Sequence, residues 1–186
     1  MDHHHHEFDY DKLSEMRQKL IDIKSIMNFM NIKHGESIAD VGSGDGYYSF
    51  LFSPLCSRVY SIDLSRDGIA RENKKIEEMK YSNVKTILGD ICKMAVLPAV
   101  DRVFFSTSFH DFPCMEEIIG RFTSETKPLF TLIEFKKESE IGPPSEIKLS
   151  PEELDQIFNK IHYKRQKIKF FEHHYIVNYY FDGNKN

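Results

Sequence analysis

The stretch Ile38-Ala39-Asp40-Val41-Gly42-Ser43-Gly44-Asp45-Gly46 most constrains what this chain can fold into. A short apolar run ends in an acidic turn with glycine at alternate positions, and an amphipathic run follows. That order reads as a buried strand, a tight turn and a helix. Gly42, Gly44 and Gly46 leave backbone without Cβ atoms, so a ligand can lie against the main chain. An acid at the mouth of such a turn repels a bare phosphate. It suits a cationic or hydroxyl-bearing ligand, which points to an amino-acid-bearing nucleoside. Taken alone, the glycines require no more than a sharp strand-to-helix turn.

The spacing excludes two nucleotide motifs. A dinucleotide fingerprint needs Gly-x-Gly-x-x-Gly. Counted from Gly42 the third position holds Tyr47, and counted from Gly44 it holds Ser49. No Gly-Lys-Ser or Gly-Lys-Thr follows, so the phosphate-loop pattern also fails. With 186 residues the chain reads as one domain, and 15 Phe and 9 Tyr supply a sizeable core. A net charge of −4 gives no global pull toward nucleic acid. No run reaches transmembrane length and no signal peptide is visible, so a cytoplasmic protein without membrane association is expected. Cys56, Cys92 and Cys114 lack the paired spacing of a zinc site and read as reduced core thiols; no metal site is expected. His3 to His6 resemble part of an expression tag and receive no structural role.

Apolar steps of three and four through Leu13, Met16, Leu20, Ile23 and Met27 predict a helix over 11–30, closed by His34-Gly35. Strands are expected at 37–41, 58–62, 84–88, 101–105 and 129–135. Helices are expected from Gly46 to Pro54, over 66–80 behind Ser65 as cap, and from Pro113 onward. The second of these turns Ile69, Ile76 and Met79 inward. Ser150-Pro151-Glu152-Glu153 is a strong helix start, with serine as cap and proline at the first helical position. Runs 163–171 and 173–181 read as a closing hairpin. Strands alternating with helices imply an α/β fold, doubly wound around parallel strands with right-handed crossovers.

In open α/β sheets ligands bind beyond the carboxyl ends of the strands. Asp40, Asp63 and Asp90 all fall at such ends. Asp63 follows the glycine turn by about twenty residues, the separation at which an acid meets ribose hydroxyls. Asp90 is placed to accept from the exocyclic amine of a base. Each is also a plausible turn or cap residue. Three at successive strand ends beside one glycine turn make a more specific pattern.

These residues resemble a class I S-adenosylmethionine-dependent methyltransferase of the type 11, ubiquinone/menaquinone C-methyltransferase-like group. Phe109-His110-Asp111-Phe112 and Ile141-Gly142-Pro143-Pro144 are similar to segments of its archaeal members. The resemblance covers 36–182, the methyltransferase domain, and leaves 1–35 as an N-terminal tail and helix acting as lid or dimer element. It implies S-adenosylmethionine as cofactor and a Rossmann-like seven-stranded sheet whose C-terminal hairpin is antiparallel. It implies that Asp40, Gly42, Gly44 and Gly46 hold the methionine part and Asp63, with Leu64, the ribose. Asp90 and Ile91 are implied at the adenine. Ser106 to Phe112 would line the methyl-transfer site, with Ser106 on the cofactor. One departure stands out: the glycine usual before strand five is replaced by Ser124-Glu125-Thr126-Lys127-Pro128.

Methyl transfer needs alignment and exclusion of water, and a base only where the acceptor must lose a proton. His110 is the candidate base, since imidazole titrates near neutrality. It also reads as a turn histidine. Asp111 orients it or caps the next helix. Phe109 and Phe112 wall an acceptor pocket or belong to the core, and one of Tyr47 and Tyr48 should face the cofactor. A small-molecule acceptor is the leading expectation, for a monomer or homodimer. The alternatives are RNA methylation, through the basic run Tyr163 to Lys169, and a cofactor-binding partner or sensor without catalysis. Arsenite methylation would need converging cysteines, and the sequence gives Cys56 and Cys92 no reason to join Cys114.

Overall fold

The computed structural model describes residues 10, 12 and 22–183. Chain order is α1 (Ile23–Met30), β1 (Ser37–Val41), α2 (Tyr47–Phe52), β2 (Arg58–Asp63), α3 (Arg66–Met79), β3 (Val84–Leu88) and β4 (Arg102–Ser106). A single 3-10 turn (Phe109–Asp111), α4 (Met115–Glu125), β5 (Leu129–Phe135), α5 (Pro151–Asn159), β6 (Tyr163–Phe170) and β7 (His174–Phe181) follow. The seven strands form one sheet in the order β3-β2-β1-β4-β5-β7-β6. Strands β1 to β5 pair in parallel, and β7 runs antiparallel between β5 and β6. This is the expected class I methyltransferase sheet. Its order reverses between β1 and β4, where a crevice opens at the strand ends.

Alternation along the strands sorts the core onto two faces. On β4, Val103 and Phe105 join Ile118, Ile119 and Phe122 of α4 and Leu154 and Phe158 of α5. Phe104 points the other way, to Ile26 and Met30 of α1 and Tyr48 and Phe52 of α2. The caps follow the sequence. Ser65 Oγ accepts from Gly68 N at 3.1 Å. Ser150 and Glu153 form a reciprocal capping box, with contacts of 3.2 and 2.7 Å.

Several expectations change. Asp22 is extended and caps α1 by accepting from Ser25 N, so helix does not run unbroken over 11–30; Leu13, Met16 and Leu20 lie outside the described residues. Left-handed Asn31 ends α1, ahead of His34-Gly35. Met79 is 67% exposed, because it closes the last turn of α3 beside left-handed Lys80. Glu72, one turn before Ile76, is the residue buried there. Lys127 takes the left-handed conformation, φ 49°, in the segment where glycine was expected before β5.

The cysteine expectation is corrected as well. Cys92 and Cys114 form a disulfide, while Cys56 stays a free, buried thiol whose pKa burial pushes up to about 12. The loops after β3 and β4 start on the same edge of the sheet, which brings two cysteines separated by 22 positions together. His3 to His6 lie outside the described residues. No helix among the described residues is long and apolar enough to cross a membrane.

Candidate functional site

The carboxyl ends of β1 to β5 and the start of β7 surround a cavity of about 610 Å³. That lies within the roughly 300–1,000 Å³ typical of small-molecule sites. Its two sides come from different parts of the sheet. The turns after β1, β2 and β3 supply Gly42, Gly44, Asp63, Leu64, Asp90 and Ile91 to one side. The segment after β4, the end of β5, the 142–143 loop and β7 supply the other, including His110, Phe112, Phe135, Pro143 and His174.

The glycine turn is shaped by close neighbours. Gly42, Gly44 and Gly46 have φ of 74°, 60° and 81°, the left-handed region that side chains avoid. A Cβ on Gly42 would stand 2.7 Å from Ser108, and one on Gly46 2.6 Å from Glu72. Gly42 and Gly44 line the cavity, whereas Gly46 caps α2 behind it. Gly68 was not singled out from the sequence; a Cβ there would meet the Gly44 carbonyl oxygen at 2.6 Å. Tyr10 folds over this turn, donates from its hydroxyl to Ser65 Oγ at 2.8 Å and lines the cavity.

The three acids part company. Asp63 lines the cavity, accepting from Gly44 N and Ser65 N at 2.7 Å each. Asp90 also lines it, accepts from Cys92 N, and pairs with Lys93 at 2.9 Å. The Lys93 contact holds the Asp90 carboxyl below its ordinary pKa. Asp40 is buried inside the sheet and does not border the cavity; its Oδ2 accepts from Ser49 Oγ at 2.7 Å. Ser61 Oγ lies 2.6 Å from both Ser49 Oγ and Glu72 Oε1. Three contacts in the row Asp40–Ser49–Ser61–Glu72 need three protons, and two hydroxyls carry two. Glu72 supplies the third: burial, with the nearby charges of Asp40, Asp45 and Asp63, pushes its carboxyl up to about 8. Neutral Glu72 thus donates toward Asp40 through both serines, beneath the glycine turn.

Leu64, Ile91 and Cys92 add apolar wall on the strand-end side. Arg121 of α4 donates to the carbonyls of Ile91 and Met94 and fixes this loop from behind. Ser106, at the end of β4, is buried, lines the cavity, and its Oγ has no hydrogen-bond partner among the described residues. Tyr48 is core and Tyr47 packs beside it; neither borders the cavity. This corrects the expectation that one of them faces it.

Beyond β4, Ser108 Oγ donates to the Val41 carbonyl at 3.0 Å and ties this segment to β1. Phe109 is wholly buried against Phe105 and Phe158, so it belongs to the core. Phe112, His110 and Asp111 border the cavity. His110 Nδ1 lies 2.7 Å from Oε2 of Glu134, and the other Glu134 oxygen accepts from Phe109 N at 3.1 Å. Nε2 of His110 is 3.6 Å from Asp111. Burial alone draws the His110 imidazole down. The bond and charge of Glu134, with the charge of Asp111, outweigh that and raise it above its ordinary value. Nothing local in the sequence marks Glu134, since it stands in an apolar strand 24 positions from its partner. The sheet order, with β5 next to β4, makes the pair.

The site can therefore hold a ligand against bare backbone on one side and offer an oriented imidazole on the other. Ser106 Oγ, a buried hydroxyl without a partner, and the glycine turn fit S-adenosylmethionine. Asp63 and Asp90 present carboxylates at the same cavity. Among the described residues no cluster of three or more His, Cys, Asp or Glu is arranged to hold a metal.

The sequence profile of the "Methyltransferase domain" family matches residues 32–174. A protein-L-isoaspartate O-methyltransferase of Dictyoglomus turgidum is 27% identical over 85 residues, 45% of this chain and 39% of that protein. The chain thus spans about two fifths of the length of that curated relative. A SAM-dependent methyltransferase from Aquifex aeolicus superposes with a TM-score of 0.80 at 22% identity, covering 92% of this chain and 98% of that one. A structure assigned to the type 11 methyltransferases, from Sulfolobus solfataricus, gives 0.69 at 22% identity over 88% and 93%.

Proposed function

The chain belongs to the methyltransferase domain family, as a class I S-adenosylmethionine-dependent member, and we propose that its acceptor is a small molecule that must shed a proton. When bound, S-adenosylmethionine supplies an electrophilic methyl group: the acceptor's lone pair bonds the methyl carbon while sulfur keeps the electrons of the bond that breaks. The chain's own residues do the rest. In this reading Gly42 and Gly44 let the methionine part approach the backbone, with Asp40 and Gly46 supporting the turn from behind. Asp63 and Leu64 meet the ribose, Asp90 and Ile91 the adenine, and Ser106 gives a hydroxyl near the strand switch.

The observation that carries the acceptor reading is the His110–Glu134 contact of 2.7 Å at the cavity wall. Glu134 fixes the ring by occupying Nδ1, which leaves Nε2 to take a proton. An ionised carboxylate acceptor would need no base. Isoaspartate in a protein, the substrate class named for the Dictyoglomus relative, would leave this pair idle. A small acceptor also suits the cover over the cavity: Tyr10 on one side, Gly142 and Pro143 on the other. Tyr10 is one of the described residues of the N-terminal segment, and its place at the cavity supports a lid role for 1–35.

RNA has less support. On β6, Lys164 pairs with Asp182, Arg165 with Asp155, and Lys167 and Lys169 contact Phe29 and Ser25 of α1. Those charges are already engaged at the edge of the sheet. Calorimetric titration with S-adenosylhomocysteine, alongside NAD, tests the cofactor reading. Binding of the first alone is expected; binding of neither would leave a methyltransferase-like scaffold and move a partner-protein role to the front.

A further inference from the structure

Both ends of the glycine turn are fastened from below. Asp40 stands two positions before Gly42 and Ser49 three positions after Gly46, and their contact of 2.7 Å closes the turn at its base. Ser61 of β2 and Glu72 of α3 extend that contact into the row whose other two members lie 2.6 Å apart at each step. All four residues are at most 2% exposed. The Gly46 backbone lies directly on the Glu72 carboxyl, since a Cβ on Gly46 would stand 2.6 Å from its Cδ. The row thus links β1, α2, β2 and α3 beneath the wall that Gly42 and Gly44 give the cavity.

Resting on the cofactor reading of that wall, we propose that protonated Glu72 is a positioning residue for S-adenosylmethionine. It holds the glycine turn in its binding shape, and its ionisation loosens the turn and weakens cofactor binding. The row supplies the reason. With its proton, Glu72 donates to Ser61, Ser61 to Ser49 and Ser49 to Asp40. Without it, two hydroxyl protons must serve three contacts, and the Ser61 hydroxyl turns to the new charge. The Ser49–Ser61 contact is then left with two oxygens and no proton, and it opens.

The surroundings offer that charge no counterion. Asp40 of β1, Asp45 of the turn and Asp63 of β2 all act on Glu72 as negative neighbours. Lys75 of α3 is engaged with Asp45 at 3.0 Å, and Arg71 with Asp67 at 3.0 Å. Helix α2 adds only the hydroxyls of Tyr47 and Tyr48 as titratable groups. Glu72 Oε2 has no hydrogen-bond partner among the described residues. A buried charge without a partner is costly, so the carboxylate moves toward water and the turn resting on it moves too. Burial and the three acids raise the Glu72 pKa to about 8, which places the loosening just above neutrality.

The test titrates full-length protein with S-adenosylhomocysteine by calorimetry, from roughly pH 6.5 to 9.5, in the parent and in Glu72→Gln. Glutamine keeps a donor for Ser61 and cannot ionise. The ligand's own amino group titrates alike with both proteins, so the difference between the two profiles is the readout. Relative to the variant, the parent should lose about five- to tenfold in affinity across that range. Linkage fixes a second measurement on the parent alone. A ligand that prefers the protonated protein about tenfold must raise the Glu72 pKa by about one unit when it binds. Carboxyl 13C signals of uniformly labelled protein, with Glu72 assigned through its backbone, report that rise. Parallel affinity profiles, or a Glu72 pKa that the ligand leaves in place, would overturn the proposal while the cofactor reading survives. Failure of S-adenosylhomocysteine to bind at any pH takes both down.

Discussion

Glu134 Oε2 and His110 Nδ1 meet at 2.7 Å, with the carboxylate fully enclosed and the ring at the edge of the cavity. Burial holds the Glu134 carboxyl above its ordinary pKa, and its contacts with His110 and Phe109 N offset only part of that rise. One proton bridges the two groups, and Glu134 reaches the chemistry only through the ring it orients.

That arrangement sets the pH dependence of transfer. As a base His110 must be neutral, and Glu134 raises its pKa. The rate should therefore rise along an acid limb placed above the ordinary imidazole value. Glu134→Gln should move that limb to lower pH and slow the plateau about tenfold or more. A profile that keeps its shape in the variant would mean that Glu134 only packs.

Asp63 joins the glycine turn to the start of α3 by accepting from Gly44 N and Ser65 N. Asp63→Ala removes both anchors together with the proposed ribose contact. Affinity for S-adenosylhomocysteine should fall tenfold or more, about what one or two charge-assisted hydrogen bonds are worth. Calorimetry on a variant with an unchanged circular-dichroism spectrum decides it, and near-normal affinity would remove Asp63 from the ribose.

What was legible in the sequence was local. Alternating strands and helices, the left-handed glycines and the Ser150 capping box each depend on neighbours within a few positions. Asp63 and Asp90 could be found because they end strands. Asp40 looked the same in the sequence, but the turn carries it inside the sheet to Ser49. Glu134, His174 and the Cys92–Cys114 link were hidden for one reason. Each depends on the order of the strands across the whole sheet, with β4 beside β5 and β7 inserted between β5 and β6, which no local stretch of sequence displays. Glu72 was masked by its helix, where a charged residue at an inward position reads as surface.

Glu72 gives a prediction about stability. Its folded pKa, about 8, lies above its unfolded value, so its contribution is fully present below the unfolded pKa and is lost as pH rises through the folded one. Between those limits the loss runs at no more than about 1.4 kcal/mol per pH unit. Glu72→Gln keeps a donor for Ser61 and cannot ionise. Urea midpoints measured from pH 5 to 9 should fall less steeply in the variant than in the parent. Parallel curves would mean that Glu72 is already ionised and that the proton row is drawn wrongly.

The Cys92–Cys114 link joins the loop after β3, which carries Asp90 and Ile91, to the residue that precedes α4. It closes a loop of about 22 residues, for which a crosslink stabilises by on the order of 3 kcal/mol through the unfolded chain. Dithiothreitol, or Cys92→Ser with Cys114→Ser, should lower the urea midpoint by that order. Arg121 still holds the carbonyls of Ile91 and Met94 when the link is cut, so the loop that carries Asp90 and Ile91 stays anchored to α4. S-adenosylhomocysteine should accordingly still bind, a few-fold more weakly. A midpoint indifferent to reductant, in protein shown by thiol titration to have started oxidised, would mean that the unfolded loop gains little freedom when the link opens.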